Sequence, residues 1–229
     1  MKRLKILGLA LLALFALGAV MAGAAFGEEG ALVPQNVTIR GGTQILENLN
    51  KESITCTLVE GTGVPLPSGE PDHDTHSTGT LTCKGCKSSL GFACSTLGDA
   101  SETILIKVLY LLCLVESVKL VWGILIAPKE LPIHIEVPAV KALILIKGAV
   151  IALLLTKLKG VDLGGEPEVK EVGMIFAKED PPTKKCSLTG LGTWTASLEA
   201  AVDTKADVDA WLEGEADITF AAAVKFMDT

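Results

Sequence analysis

Apolar and polar residues alternate with a period of two along much of this chain. Near the C-terminus, apolar side chains occupy the even positions from Ala216 to Phe226, while Glu215, Asp217 and Thr219 occupy odd ones. Residues 194–203 alternate in the same way. Successive side chains of a strand point to opposite faces of a sheet, so both stretches predict half-buried strands. We expect these two strands to pair as neighbours.

Shorter β patterns are rich in Thr, Ile or Val and are bounded by Gly, Pro or Asn. They occupy residues 37–40, 54–58, 78–83 and 169–177. Residues 203–212 fit either one helical turn or a plain connection between strands. The Gly- and Pro-rich residues 61–71 predict an exposed loop.

The middle of the chain is more apolar and admits two interpretations. Residues 104–115, 118–127 and 142–155 carry few charges. Every even position from 104 to 112 is apolar, which is typical of a central strand covered on both sides. The alternative is a pair of buried or membrane helices at 103–127 and 140–158. We predict strands, and hence an all-β, single-domain antiparallel sandwich or barrel.

The N-terminus predicts a secretory signal peptide over residues 1–27. Basic residues at Lys2, Arg3 and Lys5 precede an uncharged apolar run, and the small residues Ala25 and Gly27 mark a cleavage site. A retained anchor is the alternative, although the apolar run is shorter than the ~20 residues that span a bilayer. We expect a secreted or cell-surface domain over residues 28–229, with no strong membrane attachment.

The charge of the predicted domain limits its partners. The whole chain has a net charge of −7, and the signal removes three of its 20 basic residues but none of its 27 acidic ones. The remaining charge of about −10 repels phosphate backbones, so nucleic-acid binding is not expected. The sequence does not indicate any particular partner.

Six cysteines follow the predicted signal: Cys56, Cys83, Cys86, Cys94, Cys113 and Cys186. An even number in an exported chain suggests up to three disulfides, for which about fifteen connectivities exist. Cys113 lies inside an apolar run and could instead be a buried free thiol.

Several short sequences are spread over the predicted domain: Ile54-Thr-Cys56-Thr, Lys84-Gly-Cys86-Lys, Phe92-Ala-Cys94-Ser, Val121-Trp-Gly-Ile-Leu-Ile-Ala-Pro128, Ser197-Leu-Glu199 and Asp217-Ile-Thr-Phe220. In these sequences the chain resembles a family of uncharacterised secreted proteins of soil bacteria, whose function is unknown. The resemblance implies a secreted, β-rich fold and brings no catalytic or binding residues with it.

The resemblance and the local sequence agree on a disulfide between Cys86 and Cys94. Small residues between them, including Gly91, let the segment turn back so that the two Cα atoms approach the ~5.5 Å that a disulfide needs. Cys83 is then left for another partner, for which Cys56 is a candidate.

A zinc site is the competing use of this region, because His73, His76, Cys83 and Cys86 have suitable ligand types and spacing. Zinc-thiolate sites are unusual in oxidising compartments, whereas disulfides are common there. We therefore expect disulfides, and no metal or cofactor.

For function, we expect a secreted, non-catalytic structural, adhesion or ligand-binding module. One alternative is a secreted hydrolase with an acidic site at residues 70–76, where Glu70, Asp72 and Asp74 lie beside His73, with Glu60 as a further carboxylate. Another alternative is a membrane-associated protein that uses the apolar residues 103–158.

Overall fold

The computed structural model describes residues 36–66, 76–116, 121–155, 157–158, 161–162, 169–176, 183–188, 192–203 and 205–224. The predicted signal peptide lies outside these residues, so its cleavage stays a prediction. Strands dominate the described chain, whose one helical element is the short 3-10 helix Pro138–Val140. The all-β prediction is confirmed, and the helical alternative for the middle is wrong.

Seventeen strands follow one another along the described chain. They are β1 (Val37–Asn48), β2 (Ser53–Cys56), β3 (Leu58–Pro65), β4 (Ser77–Lys84), β5 (Lys87–Ser88), β6 (Ser95–Thr96), β7 (Thr103–Glu116), β8 (Val121–Pro128), β9 (Ile133–Val137), β10 (Ala142–Gly148), β11 (Val150–Leu154), β12 (Lys157–Leu158), β13 (Val161–Asp162), β14 (Val169–Phe176), β15 (Thr183–Leu188), β16 (Gly192–Val202) and β17 (Val208–Val224).

Eight of these strands close an antiparallel barrel in the order β1, β3, β4, β7, β8, β11, β14, β17. The ring closes because β17 pairs with β14 and also with β1, where Val37 lies opposite Phe220. Trp122, Met174 and Phe220 are among the buried side chains that fill its interior. Of the two predicted architectures, the structure is therefore a barrel, and further strands attach to its outside.

The alternating pattern of the sequence is directly visible in β17. Ala216, Ile218 and Phe220 are buried in the barrel, while Glu215 and Asp217 are exposed on its outer face. Burial of one large apolar side chain stabilises the fold by about 1.5–3 kcal/mol, whereas a buried unpaired carboxylate would cost more. The pattern therefore fixes which face of the strand points inward.

A bulge in β1 carries this strand from the barrel into an outer sheet. Its register with β17 shifts between Gly41 and Gln44. Val37 and Ile39 are buried before the bulge, but Gln44 and Asn48 are buried after it. An extra residue in one strand reverses which positions face inward, so the alternation changes phase at this point.

Beyond the bulge, β1 pairs with β2, and the first part of β17 pairs with β16. From β16 the sheet continues through β10 and β9 to β6, and we call these strands the outer sheet. This outer sheet buries a second core that includes Ile135 and Ile146. Cys83, Ile106 and Val150 pack against both cores. The barrel and the outer sheet therefore meet at these three residues.

The apolar middle of the chain is explained by burial on two sides. In β7, Val108 and Tyr110 face the barrel interior, while Leu111 and Cys113 pack outside the barrel with Ala196 of β16 and its neighbours. The prediction of a strand covered on both faces is thus confirmed for the second half of β7, whereas Leu105 and Lys107 in its first half are exposed. No helix among the described residues is long and apolar enough to cross a membrane.

The predicted pairing of the two alternating stretches is confirmed for the strands that contain them, since β16 and β17 are neighbours. They pair through residues 208–210 of β17, while its stretch from Ala216 pairs with β1 and β14. Two local predictions are wrong in detail. Residues 208–212 are strand rather than a helical turn or a connection. Residues 61–65 of the predicted loop extend β3, because β3 pairs with β4 along its whole length.

Candidate functional site

The predicted disulfide between Cys86 and Cys94 is not formed, because Cys86 bonds to Cys56. Thr57 N–H donates to Lys84 O at 2.9 Å, and this contact brings the end of β2 beside the end of β4. The Cα atoms of Cys56 and Cys86 consequently lie 4.0 Å apart. The predicted turn does exist, since Cys94 N–H donates to Cys86 O at 2.9 Å, but the tertiary pairing selects the other partner.

A second disulfide joins Cys113 of β7 to Cys186 of β15. Both residues are fully buried between the barrel and the outer strands, with Cα atoms 5.5 Å apart. The interpretation of Cys113 as a free thiol is therefore wrong. This disulfide attaches β15, and through it β16, to the barrel wall.

Cys83 and Cys94 are free thiols. The proposed Cys83–Cys56 pairing is thus also wrong, because Cys56 is already bonded to Cys86. Burial raises the pKa of both thiols to about 11. Both cysteines are therefore protonated at neutral pH and are poor nucleophiles or metal ligands there.

The zinc hypothesis finds no support in the described residues, which contain no group of three ligand side chains that could hold a metal ion. Cys86 is oxidised, and His73 lies outside the described residues. His76 is buried just before β4, and Cys83 lies seven residues further along the chain. An extended segment of that length separates them by roughly 23 Å, too far for one metal ion.

The acidic residues proposed for a hydrolase are not brought together by the described structure. Glu70, Asp72 and Asp74 lie outside the described residues. Glu60 is exposed on β3 and accepts a hydrogen bond from Lys84 Nζ at 2.7 Å, which holds the pKa of its carboxyl below the ordinary value. Glu60 therefore behaves as half of a surface ion pair.

An apolar cavity of about 130 Å³ lies where the two cores meet. Ile39 and Val108 line it from the barrel, and Ile135 and Ile146 line it from the outer sheet. Among the described residues of the lining, Gln44 alone has an amide or charged side chain. Because a buried water molecule needs two to four polar partners, this lining favours an apolar occupant over water.

The Gln44 amide lies at the bulge of β1. Its Nε2 donates to Glu215 O at 2.9 Å, while its buried Oε1 has no hydrogen-bond partner among the described residues. Gly214 packs against this amide with φ of 152°, and a Cβ on Gly214 would overlap the Gln44 side chain. A glycine is needed here for its backbone angle and for the close approach.

A second cavity of about 130 Å³ adjoins the first, and Leu46 and Ile54 line both. We call the first the inner cavity and the second the outer cavity. The outer cavity is lined on one side by Leu90 and Val140, which are 74% and 47% exposed, so that side is open to solvent. Its lining includes Asn48, Glu52, Ser53, Ser88 and Ser89 in addition to apolar side chains.

The chain was also compared with protein families, with curated proteins and with solved structures, and none of the three comparisons finds a match. The site is therefore defined by geometry alone. It belongs to an antiparallel barrel whose outer sheet encloses two adjoining cavities. Cys56 and Cys83, considered from the sequence for disulfides or zinc, line the inner cavity. The cavities themselves carry no local sequence signal, because their walls come from strands far apart in the chain.

Proposed function

We propose that this protein is an extracytoplasmic binding protein for a small apolar molecule, which occupies the inner cavity. The observation that carries this proposal is the cavity itself, about 130 Å³ in volume and almost wholly apolar. An engineered apolar cavity of about 150 Å³ in another protein stays dry and binds benzene. Of the structural, adhesion and ligand-binding roles expected from the sequence, ligand binding is the one that uses the cavity.

The two disulfides support a location outside the cytoplasm. Such bonds persist in oxidising compartments and are rare where thiols are kept reduced. Their presence agrees with the basic and apolar N-terminus that predicts export. The cavity requires no catalytic group, and a non-catalytic role is part of the proposal.

The test is thermal unfolding in the presence of benzene. A ligand that binds only the folded state, at about ten times its Kd, raises the free energy of unfolding by about 1.4 kcal/mol. For a protein of this size that corresponds to a midpoint rise of roughly 4 °C. No rise in midpoint in benzene-saturated buffer would refute the proposal.

A cavity-filling variant locates the binding. Val150 lines the inner cavity and contacts both cores, so Val150→Phe places an aromatic ring in the space that benzene would use. The matched control is Val64→Phe, which makes the same change on β3 at a residue that is 49% exposed and lies outside both cavities. We expect the benzene effect to disappear in the first variant and to persist in the second. An equal effect in both would place the ligand elsewhere and contradict the proposal.

A further inference from the structure

The inner and outer cavities adjoin each other across one pair of side chains. Leu46 and Ile54, which line both, are direct cross-strand partners on β1 and β2. Neither residue is polar, so the boundary between the two cavities is apolar. A ligand longer than the inner cavity would reach the outer cavity by displacing these two side chains.

The two cavities differ in chemistry. Ser53, Ser88 and Ser89 supply hydroxyl groups to the outer cavity, whereas no described residue in the lining of the inner cavity has a hydroxyl side chain. Leu90 and Val140, exposed at the open side, add apolar surface that a bound chain would cover. The inner cavity is apolar, and the outer cavity is lined by both polar and apolar side chains. This distribution matches a molecule with an apolar chain and a polar head.

The charge at the mouth constrains that head. Of the described residues that line the outer cavity, Glu52 is the one with a charged side chain, and none is basic. Its Oε2 accepts a hydrogen bond from Asn48 Nδ2 at 2.9 Å, and its Oε1 accepts one from Lys205 Nζ at 3.0 Å. These two bonds hold the pKa of the Glu52 carboxyl below its ordinary value, so the group is ionised at neutral pH. Lys205 offsets part of this charge, but the carboxylate is the group that lines the cavity, so an anionic head beside it would meet a like charge.

We propose that the two cavities together bind a single-chain amphiphile with an uncharged, hydroxyl-bearing head, with its chain in the inner cavity and its head at Glu52 and the serines. Such a head can donate to the carboxylate and exchange hydrogen bonds with the hydroxyl groups. This inference rests on the proposed function, because it assigns the inner cavity to the apolar part of the same ligand.

The experiment compares decanol with decanoate, which share a ten-carbon chain and differ in the charge of the head. We expect decanol to bind more tightly to the unmodified protein at neutral pH, measured by isothermal titration calorimetry. The decisive quantity is how the ratio of the two Kd values changes in Glu52→Gln. Because Glu52 is partly exposed and paired with Lys205, removing its charge should narrow this ratio by roughly two- to fivefold, the equivalent of about 0.4–1 kcal/mol. The control is Glu213→Gln, an exposed carboxylate on β17 outside both cavities, which should leave the ratio unchanged.

The outcomes separate this inference from the proposed function. Benzene needs only the inner cavity, so its stabilising effect should be the same in Glu52→Gln and in the unmodified protein; this also shows that the variant is folded. If benzene stabilises the protein but decanol does not bind, or if the ratio is the same in Glu52→Gln and the unmodified protein, the amphiphile inference is overturned and the proposed function stands. If benzene has no effect, the proposed function is refuted, and the amphiphile inference, which rests on it, is refuted with it.

Discussion

Removal of the disulfide between Cys113 and Cys186 should lower the free energy of unfolding of this protein by several kcal/mol. The bond joins residues 73 apart in the chain. Opening a loop of that length returns about 4.4 kcal/mol of conformational freedom to the unfolded chain at 25 °C. The same calculation for Cys56–Cys86, with a separation of 30, gives about 3.6 kcal/mol. Domains typically have a free energy of unfolding of only about 5–15 kcal/mol. The double variant Cys113→Ala, Cys186→Ala should therefore be only marginally stable.

Urea unfolding followed by circular dichroism measures this loss, with linear extrapolation to water. The slope with denaturant should also increase, because an unfolded chain without the cross-link exposes more surface. Cys83→Ala is the matched control, since it removes a thiol that closes no loop. A double variant that loses less than about 1 kcal/mol relative to this control would show that the disulfide does not stabilise the fold in the way its position implies.

Three further predictions follow from the described residues. Gly79→Ala should lower the free energy of unfolding by about 1–3 kcal/mol, because the added Cβ would collide with a backbone carbonyl of β3. The control is Gly42→Ala, which has open space around it and should show no such cost. Equal losses of the two variants in urea unfolding would contradict this packing. Burial raises the pKa of both free thiols from 9.0 to about 11, so the unfolded chain loses these protons at a lower pH than the folded protein. The free energy of unfolding should therefore fall as pH rises from about 9 to 11. If the fall is unchanged after both thiols are replaced by alanine, other groups cause it. Peptide mapping of the non-reduced protein should find Cys56 joined to Cys86 and Cys94 free, whereas a Cys86–Cys94 peptide would reverse the assignment.

Most strands of the barrel could be predicted because they carry their own pattern; β3, of which residues 61–65 were predicted as a loop, is an exception. The alternation of Ile218 and Phe220 with Asp217 and Thr219 is complete within a few residues, and the same positions are buried and exposed in the structure. This information is local, so it needs no knowledge of the partner strand. It predicted the fold class and most strand positions.

Pairing and cavities could not be predicted because they depend on distant residues. The partner of Cys86 is selected by the contact between Thr57 and Lys84, which no local turn signal reveals. The phase change in β1 places the polar Gln44 inside, against the expectation from its side chain. The inner cavity joins Ile39 to Ile146, more than a hundred residues away, and its volume is what their packing leaves unfilled.

The long pairing of β1 with β17 has a consequence for how the protein folds. β1 is the first described strand and β17 the last, and they pair from Val37–Phe220 to Asn48–Ala210 across the barrel and the outer sheet. Neither core can therefore be completed before β17 has been synthesised, and pairing between such distant segments is intrinsically slow. We expect truncated chains that lack β17 to be protease-sensitive, and folding of the whole chain to occur in one cooperative step that completes both cores together.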